Sequence, residues 1–475
     1  MEAIGSGFSD TVWRRTLAVM AGALLLFYML CPVAPARWND LYLSYGRVAL
    51  ISLAAIYFFR ARLRGRLETK LVVWYAIWIF LSRLLNTDLY LQNELELVLS
   101  RVLCAVVLPL GMLLEEKERR VLLDVVIAAA GAYYFVAALL GLYAAIFGVY
   151  FYIPPEHVVF GYDDNSVFYA NFIYLIAWET NRTISAVWFY LAWCMMVYEF
   201  FRCENRLWRV PIVLAMFVFH LAIAFCQCRS IKLAFSVNVA MLLVLGGLRL
   251  LKTRSNAVKA LLLGLVALAS LPLSYKSFDA LTFCSAKIYD AMDVQIERTS
   301  DAFMGEAYQE RTQDGQSFSD DRDLKASISN LSNRGEIYRS VLPTLRDDPL
   351  ILLRGRYSMK IMDLPRQYLS YPYYHMHNFL LQVLMLAGLP GLALVAAFCL
   401  LLAFKSVRVF FSELPTAVKT LTLPLFGVLF YGLFETVIFT ASADERALTD
   451  FRELFFFLLA GILLGYAYEL PARRT

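Results

Sequence analysis

Two of the chain's four histidines, His375 and His377, stand two residues apart at the last polar step before a long apolar run, residues 379–404. They close a polar segment that occupies residues 275–376. An imidazole changes charge near neutrality, so it can take the proton of an attacking hydroxyl. The pair, His375 and His377, is where chemistry is expected. His375 shares the face of His377 on an extended chain and points elsewhere on a helix, which makes it a supporting candidate. Asn378 begins the apolar run and sets the depth of His377. Permanently charged or cationic groups accompany them: Arg229 at the edge of one apolar run with Lys232 just beyond, Arg334 four residues before Tyr338, and Arg182 ahead of another run. An arginine beside a membrane span is costly unless it is paired or faces water. The structural alternatives are snorkelling to headgroups for Arg229 and a surface helix charge for Arg334. His157 and His220 are read as structural.

The elements that must position these residues are membrane helices. The chain has 475 residues, 60% hydrophobic and 17% charged, with a mean hydropathy of +0.59. Soluble domains are nearer half apolar and a quarter charged. A net charge of +5 on such a chain reports Lys and Arg in cytoplasmic loops, and no nucleic-acid partner is expected. The eight cysteines fall mostly inside apolar runs and act as small hydrophobes, so neither a disulfide framework nor a metal site is expected.

A span needs about twenty apolar residues. Twelve stretches qualify: 16–34, 41–59, 71–85, 97–114, 121–148, 184–201, 210–227, 231–251, 260–274, 379–404, 417–440 and 451–470. Dense basic loops such as Arg60-Ala61-Arg62-Leu63-Arg64-Gly65-Arg66 belong inside the cell, which places both termini in the cytoplasm. Residues 168–178 are apolar but short. Counting them as a span would put Arg202, Arg206 and Arg209 outside and break the charge rule at every later loop. Residues 150–183 are therefore read as an outer-face loop with a re-entrant or interfacial helix that lines a cavity. The expected fold is all-α and polytopic, with a large helical outer loop between spans nine and ten. It divides into a membrane part (1–274), the loop (275–377) and a second membrane part (378–475).

Within the loop, residues 290–325 are polar and poor in apolar residues. Ser332-Asn333 can cap a helix that carries Ile337, Val341 and Leu345 on one face, and Asp347-Asp348-Pro349 stops it. Tyr368, Tyr371, Tyr373 and Tyr374 precede the histidines. They form either an interfacial aromatic belt or a stacking surface for sugar rings.

Together these features resemble the O-antigen ligase and polymerase superfamily of membrane glycosyltransferases. His377-Asn378-Phe379-Leu380-Leu381-Gln382 followed by Gly388-Leu389-Pro390-Gly391 looks like that family's His-Asn, Leu-Gln, Gly-x-x-Gly signature. Arg229-Ser230 resembles its Ser-Arg motif, with Cys228 where the preceding Ser usually stands. Asn333-Arg334, Tyr338 and Asp348-Pro349-Leu350 resemble its outer-loop segment, but Leu352, Leu353 and Arg354 replace glycines and only Gly355 is kept. Glu179-Thr180-Asn181-Arg182-Thr183 weakly resembles its Asn-rich stretch.

The resemblance implies a bacterial cytoplasmic-membrane enzyme working on the outer face. Its donor would be a glycan on undecaprenyl diphosphate and its acceptor a lipid or saccharide. Arg229, Arg334, Arg182 and Lys232 would hold the diphosphate, His377 would act as base, and His375, Asn378, Tyr338 and Tyr374 would support. No metal or nucleotide is needed for such a displacement, and no cofactor is expected. A ligase and a repeat-unit polymerase share this donor site. A lipid-linked sugar transporter is a further alternative. Transporters tend to carry internal repeats and midplane charges, whereas the candidates here sit at the outer edge.

Overall fold

Each of the twelve apolar stretches carries a helix. The computed structural model describes residues 10–30, 44–60, 66–86, 91–147, 151–153, 157–163, 174–177, 182–226, 228–251, 256–292, 332–356, 376–436, 438–439 and 451–470. The helices are α1 (Asp10–Leu30), α2 (Ser44–Arg60), α3 (Leu67–Leu84), α4 (Leu91–Leu113), α5 (Glu116–Phe147), α6 (Arg182–Arg202), α7 (Arg206–Cys226), α8 (Arg229–Leu250), α9 (Asn256–Met292), α10 (Ser332–Asp347), α11 (Ile351–Arg354), α12 (Phe379–Phe410), α13 (Thr416–Thr420), α14 (Thr422–Gly432) and α15 (Phe451–Glu469). Among the described residues, α1, α5, α7, α8, α9 and α12 are long and apolar enough to cross a membrane. The protein is therefore an integral membrane protein.

Backbone groups surrounded by hydrocarbon must be satisfied internally, and the helices run on through their prolines: Pro109 in α4, Pro211 in α7 and Pro272 in α9. The last of these extends the ninth stretch well past residue 274. At 37 residues, α9 is about 55 Å long, against a hydrocarbon core of roughly 30 Å.

The one sheet among the described residues lies between α5 and α6 in sequence. It is three-stranded and antiparallel, in the order β1-β2-β3, with β1 at Phe151–Ile153, β2 at His157–Asp163 and β3 at Tyr174–Ala177. Phe160 pairs with Ala177 and Asp163 with Tyr174. Residues 174–177, expected in an interfacial helix, form β3 instead. The β-branched and aromatic side chains of β1 and β2 favour strands, and an edge to pair with settles a short apolar run that periodicity leaves open.

The chain divides into two compact units. The first holds Met1–Gly131, Val197–Glu204 and Arg334–Thr475, and the second Ala132–Met196 and Asn205–Asn333. In the first, α4 packs on α15 and α3 packs on α12. Its aromatic core joins Tyr75, Phe398, Phe439 and Phe457, with ring centroids 5.3–6.1 Å apart. In the second, α9 packs on α8 and α7, and β3 meets α7.

Helix α10 already includes Ser332 and Asn333, the expected cap, and stops at Asp347, ahead of Asp348-Pro349, as the sequence leads one to expect. Ile337 and Val341 are buried on one face, and Leu345 is half-buried. The eleventh apolar stretch is not one helix. It turns at Leu421 between α13 and α14, and helix ends at Gly432. Residues 433–436 and 438–439 lie outside helix in what reads as a continuous span, and the first group carries Glu435.

Candidate active site

The first unit builds its site at the start of α12. Asn378 is the N-cap: its side-chain oxygen accepts from the Leu381 amide at 3.0 Å, satisfying one of the donors a helix start leaves open. Its Nδ2 donates to the Leu433 carbonyl at 2.9 Å. Buried Gln382 reaches back, its Oε1 accepting from the Met376 amide at 3.0 Å. The spacing of Asn378, Leu381 and Gln382 is thus that of a cap and a return bond around His377.

His377 itself has φ 47, a left-handed conformation that costs a non-glycine residue about 1–3 kcal/mol and persists only when its surroundings enforce it. The bonds of Asn378 and Gln382 do so. A third comes from α10, where the Tyr338 hydroxyl donates to the His377 carbonyl at 3.2 Å.

The imidazole meets a carboxylate. His377 Nδ1 lies 2.9 Å from Glu435 Oε2, and the two side chains are 24% and 9% exposed. An ionised carboxylate only accepts, so Nδ1 is the donor in this bond and Nε2 is the ring nitrogen left for proton transfer. A carboxylate that fixes the tautomer and steadies the imidazolium is the arrangement used by the acid–base histidine of serine hydrolases. The site can therefore remove a proton from a hydroxyl brought to Nε2.

About two and a half turns further on, α12 breaks. Gly388 has φ 66, and its neighbourhood interrupts the helical bonds. Three carbonyls that a straight helix would satisfy find other donors. Met385 O accepts from the Arg356 amide at 2.7 Å, Leu386 O from Arg83 Nη2, and Ala387 O from Trp78 Nε1 at 2.6 Å. Arg83 also donates to Arg356 O at 2.8 Å. Short helix α11 ends against this break at Gly355, φ 68. A Cβ on Gly355 would collide with the backbone of Leu386, and one on Gly388 would lie 2.5 Å from Leu353 O. The retained Gly355 and the first glycine of Gly-x-x-Gly are therefore two sides of one backbone contact.

The stretch that contains this break also matches a known family. The family model described as O-antigen ligase covers residues 212–396, from α7 to the first part of α12. Over that stretch the chain is similar to the O-antigen ligase family. Its members are membrane enzymes of glycosyltransferase type. No curated protein matches the chain.

The O-antigen ligase match includes Arg229 and His377 but ends before Glu435. The second unit holds Arg229, the first residue of α8, whose side chain is exposed. Cys228, where the family usually has Ser, stands at the N-cap position and makes no side-chain capping bond. Lys232 follows one turn on, 3% exposed, with Nζ 5.8 Å from the centre of the Phe278 ring. His220 packs on the other aromatic neighbours: its ring lies 4.6 Å from Phe235 and 4.5 Å from Phe278, and its Nε2 is 3.2 Å from Ser277 Oγ.

Of the remaining candidates, Arg334 lies on α10 one turn before Tyr338, and Arg182 is the first residue of α6. Their side chains are outside the described residues, as are Tyr374, His375 and the polar stretch 293–331. His377, Asn378 and Tyr338 are brought together in the first unit. Arg229 and Lys232 are brought together in the second. Glu435 is the residue sequence reasoning missed. Its signal was a lone carboxylate in an apolar run, Leu433-Phe434-Glu435-Thr436-Val437, since ionisable residues inside membrane segments mark function by default.

Proposed function

We propose that this chain is an O-antigen-ligase-like glycosyltransferase. It moves a glycan from undecaprenyl diphosphate to a hydroxyl of a lipid or saccharide acceptor, on the outer face of the bacterial cytoplasmic membrane, with both termini in the cytoplasm. The observation that carries the reading is the hydrogen bond between His377 Nδ1 and Glu435 Oε2, which gives the motif histidine the tautomer a base requires.

The acceptor oxygen attacks the anomeric carbon as its proton passes to His377 Nε2. The bond from that carbon to the phosphate oxygen breaks, and undecaprenyl diphosphate leaves with the electron pair. One displacement inverts the anomeric configuration. Negative charge grows on the leaving phosphate, where preorganised cations stabilise it most. Arg229 and Lys232 fill that role in this reading, with Arg334 and Arg182 as further phosphate contacts. The glutamate does not take the proton; it stabilises the imidazolium that forms.

Transfer in proteoliposomes with purified lipid-linked glycan tests this. His377→Ala and Arg229→Ala are expected to abolish transfer while the protein still inserts. Full activity in His377→Ala would sink the mechanism. A repeat-unit polymerase uses the same donor chemistry, and the product separates the two: one transferred chain for a ligase, a ladder on the donor lipid for a polymerase. Movement of the glycan lipid across the bilayer with no new glycosidic bond would identify a transporter.

A further inference from the structure

A second buried charge cluster lies in the first unit, away from the histidine. Arg101 of α4 and Glu453 of α15 are each 3% exposed at the side chain. They are joined twice, by Nη1 to Oε1 and by Nη2 to Oε2 at 3.0 Å. The carboxylate also accepts the backbone amide of Phe439 at 2.7 Å. Phe439 has φ 57, so the chain there turns through a conformation that an L residue avoids. Its ring is buried against Tyr75, Phe398 and Phe457.

Phe439 is four residues past Glu435. The amides of Phe434 and Glu435 donate to Tyr431 O and so join the stretch to the end of α14, and side chains tie it at three further points. Leu433 O accepts from Asn378 Nδ2, Glu435 Oε2 meets His377 Nδ1, and Phe439 N donates to Glu453 Oε1. Two ties belong to the site itself. The third is supplied by α15. A buried amide needs an acceptor, a carboxylate is the strongest available, and a carboxylate among apolar side chains needs a cation.

We propose that Glu453 and Arg101 are positioning residues for the His377–Glu435 site. Glu453 holds the Phe439 turn, which sets where Glu435 stands, and Arg101 holds that acceptor in place through both of its oxygens. The inference rests on the reading of His377 as base and assigns neither residue a contact with substrate.

Two double variants test it in proteoliposomes. Arg101→Leu with Glu453→Leu leaves no uncompensated buried charge, the condition under which such replacements are tolerated, but it removes the acceptor. Arg101→Leu with Glu453→Gln removes the charges and keeps an oxygen for Phe439. Transfer rate and the carbethoxylation rate of His377, read by mass spectrometry, are measured in both beside the parent, Glu435→Gln and His377→Ala. The leucine pair is expected to lose at least tenfold in kcat, with KM for donor within twofold, and its His377 to react like that of Glu435→Gln. The glutamine pair is expected to stay within threefold of the parent in kcat. A leucine pair with the parent's rate and reactivity overturns the proposal. So does a glutamine pair as slow as Glu435→Gln, and that arm decides the matter if the leucine pair does not accumulate. If the base reading is the part that fails, His377→Ala transfers at the parent's rate while the modification rates still separate the two pairs.

Discussion

His377 and Glu435 are 58 residues apart in the chain and 2.9 Å apart in space. The imidazole comes from the residue before the cap of one helix, and the carboxylate from the turn after another. Both elements had to stop at the right place for the pair to form. Asn378 starts α12 by capping it, and α14 ends at Gly432, leaving 433–435 free of helix and close enough for Asn378 to bond Leu433. The residue that sets the tautomer and the residue that holds the turn are thus neighbours of the base.

Replacement of Glu435 is expected to act on the chemical step. Glu435→Gln keeps an acceptor for Nδ1 but loses the charge that steadies the imidazolium. The expected fall in kcat is about a hundredfold, or about 2.7 kcal/mol, with KM for donor little changed. Glu435→Ala should lose more, because the ring is then free to choose its tautomer. Initial rates against donor concentration measure both. An equal rise in KM with kcat unchanged would show that Glu435 serves donor binding.

The Gly355–Gly388 contact makes a stability prediction with an internal control. Alanine at Gly388 meets the Leu353 carbonyl and a positive φ together. The conformational term is about 1–2 kcal/mol and the overpacking term about 1–3 kcal/mol. Gly388→Ala and Gly355→Ala should each lower the melting temperature in detergent by several degrees. Gly246 and Gly264 lie within α8 and α9 with nothing inside 4 Å of a built Cβ. Alanine there should be neutral or stabilise by up to about 1 kcal/mol. Scanning fluorimetry on the four variants checks the contrast.

Much of this was legible from hydropathy and charge. Apolar stretches of about twenty residues carry their own helix signal, and Asp348-Pro349 marks the end of α10 as the proline rule predicts. What escaped lies where tertiary context overrides length. The run 417–440 has the composition of one span, and only the approach of Asn378 and His377 shows why it must stop at Gly432. Buried Arg101 and Glu453 sit in separate apolar runs, and composition cannot say that they meet. The break at Gly388 was visible as a motif, but its purpose requires the Arg83, Trp78 and Arg356 donors that take over its carbonyls. Residues 174–177 could be strand or helix by pattern, and pairing with β2 decides.

Cys228 offers a cap that is not made. It occupies the N-cap position of α8 without a side-chain bond to the helix, and thiols are weak acceptors. Serine ranks among the best N-caps, worth roughly 0.5–2 kcal/mol over a residue that cannot cap. Cys228→Ser is therefore expected to raise the melting temperature by a few degrees and leave transfer unchanged, since Arg229 keeps its place at the helix start. A lowered midpoint would mean that burial of the thiol outweighs the missing cap.

Asn378 does two jobs that two substitutions separate. Its oxygen caps α12, and its amide tethers Leu433. Asn378→Ala loses both. Asn378→Ser keeps an oxygen for the Leu381 amide and loses only the tether. Loss of the cap should cost the alanine variant about 1 kcal/mol of stability, while the serine variant stays near the parent. Transfer behaves differently if the tether sets Glu435 against His377: both variants should slow by about tenfold, because neither can reach Leu433. Thermal midpoints and rates measured on the same preparations give the two answers independently. A serine variant that is both stable and fully active would show that the 433–435 turn keeps its place without Asn378, leaving Glu453 and the packing of Phe439 to hold it.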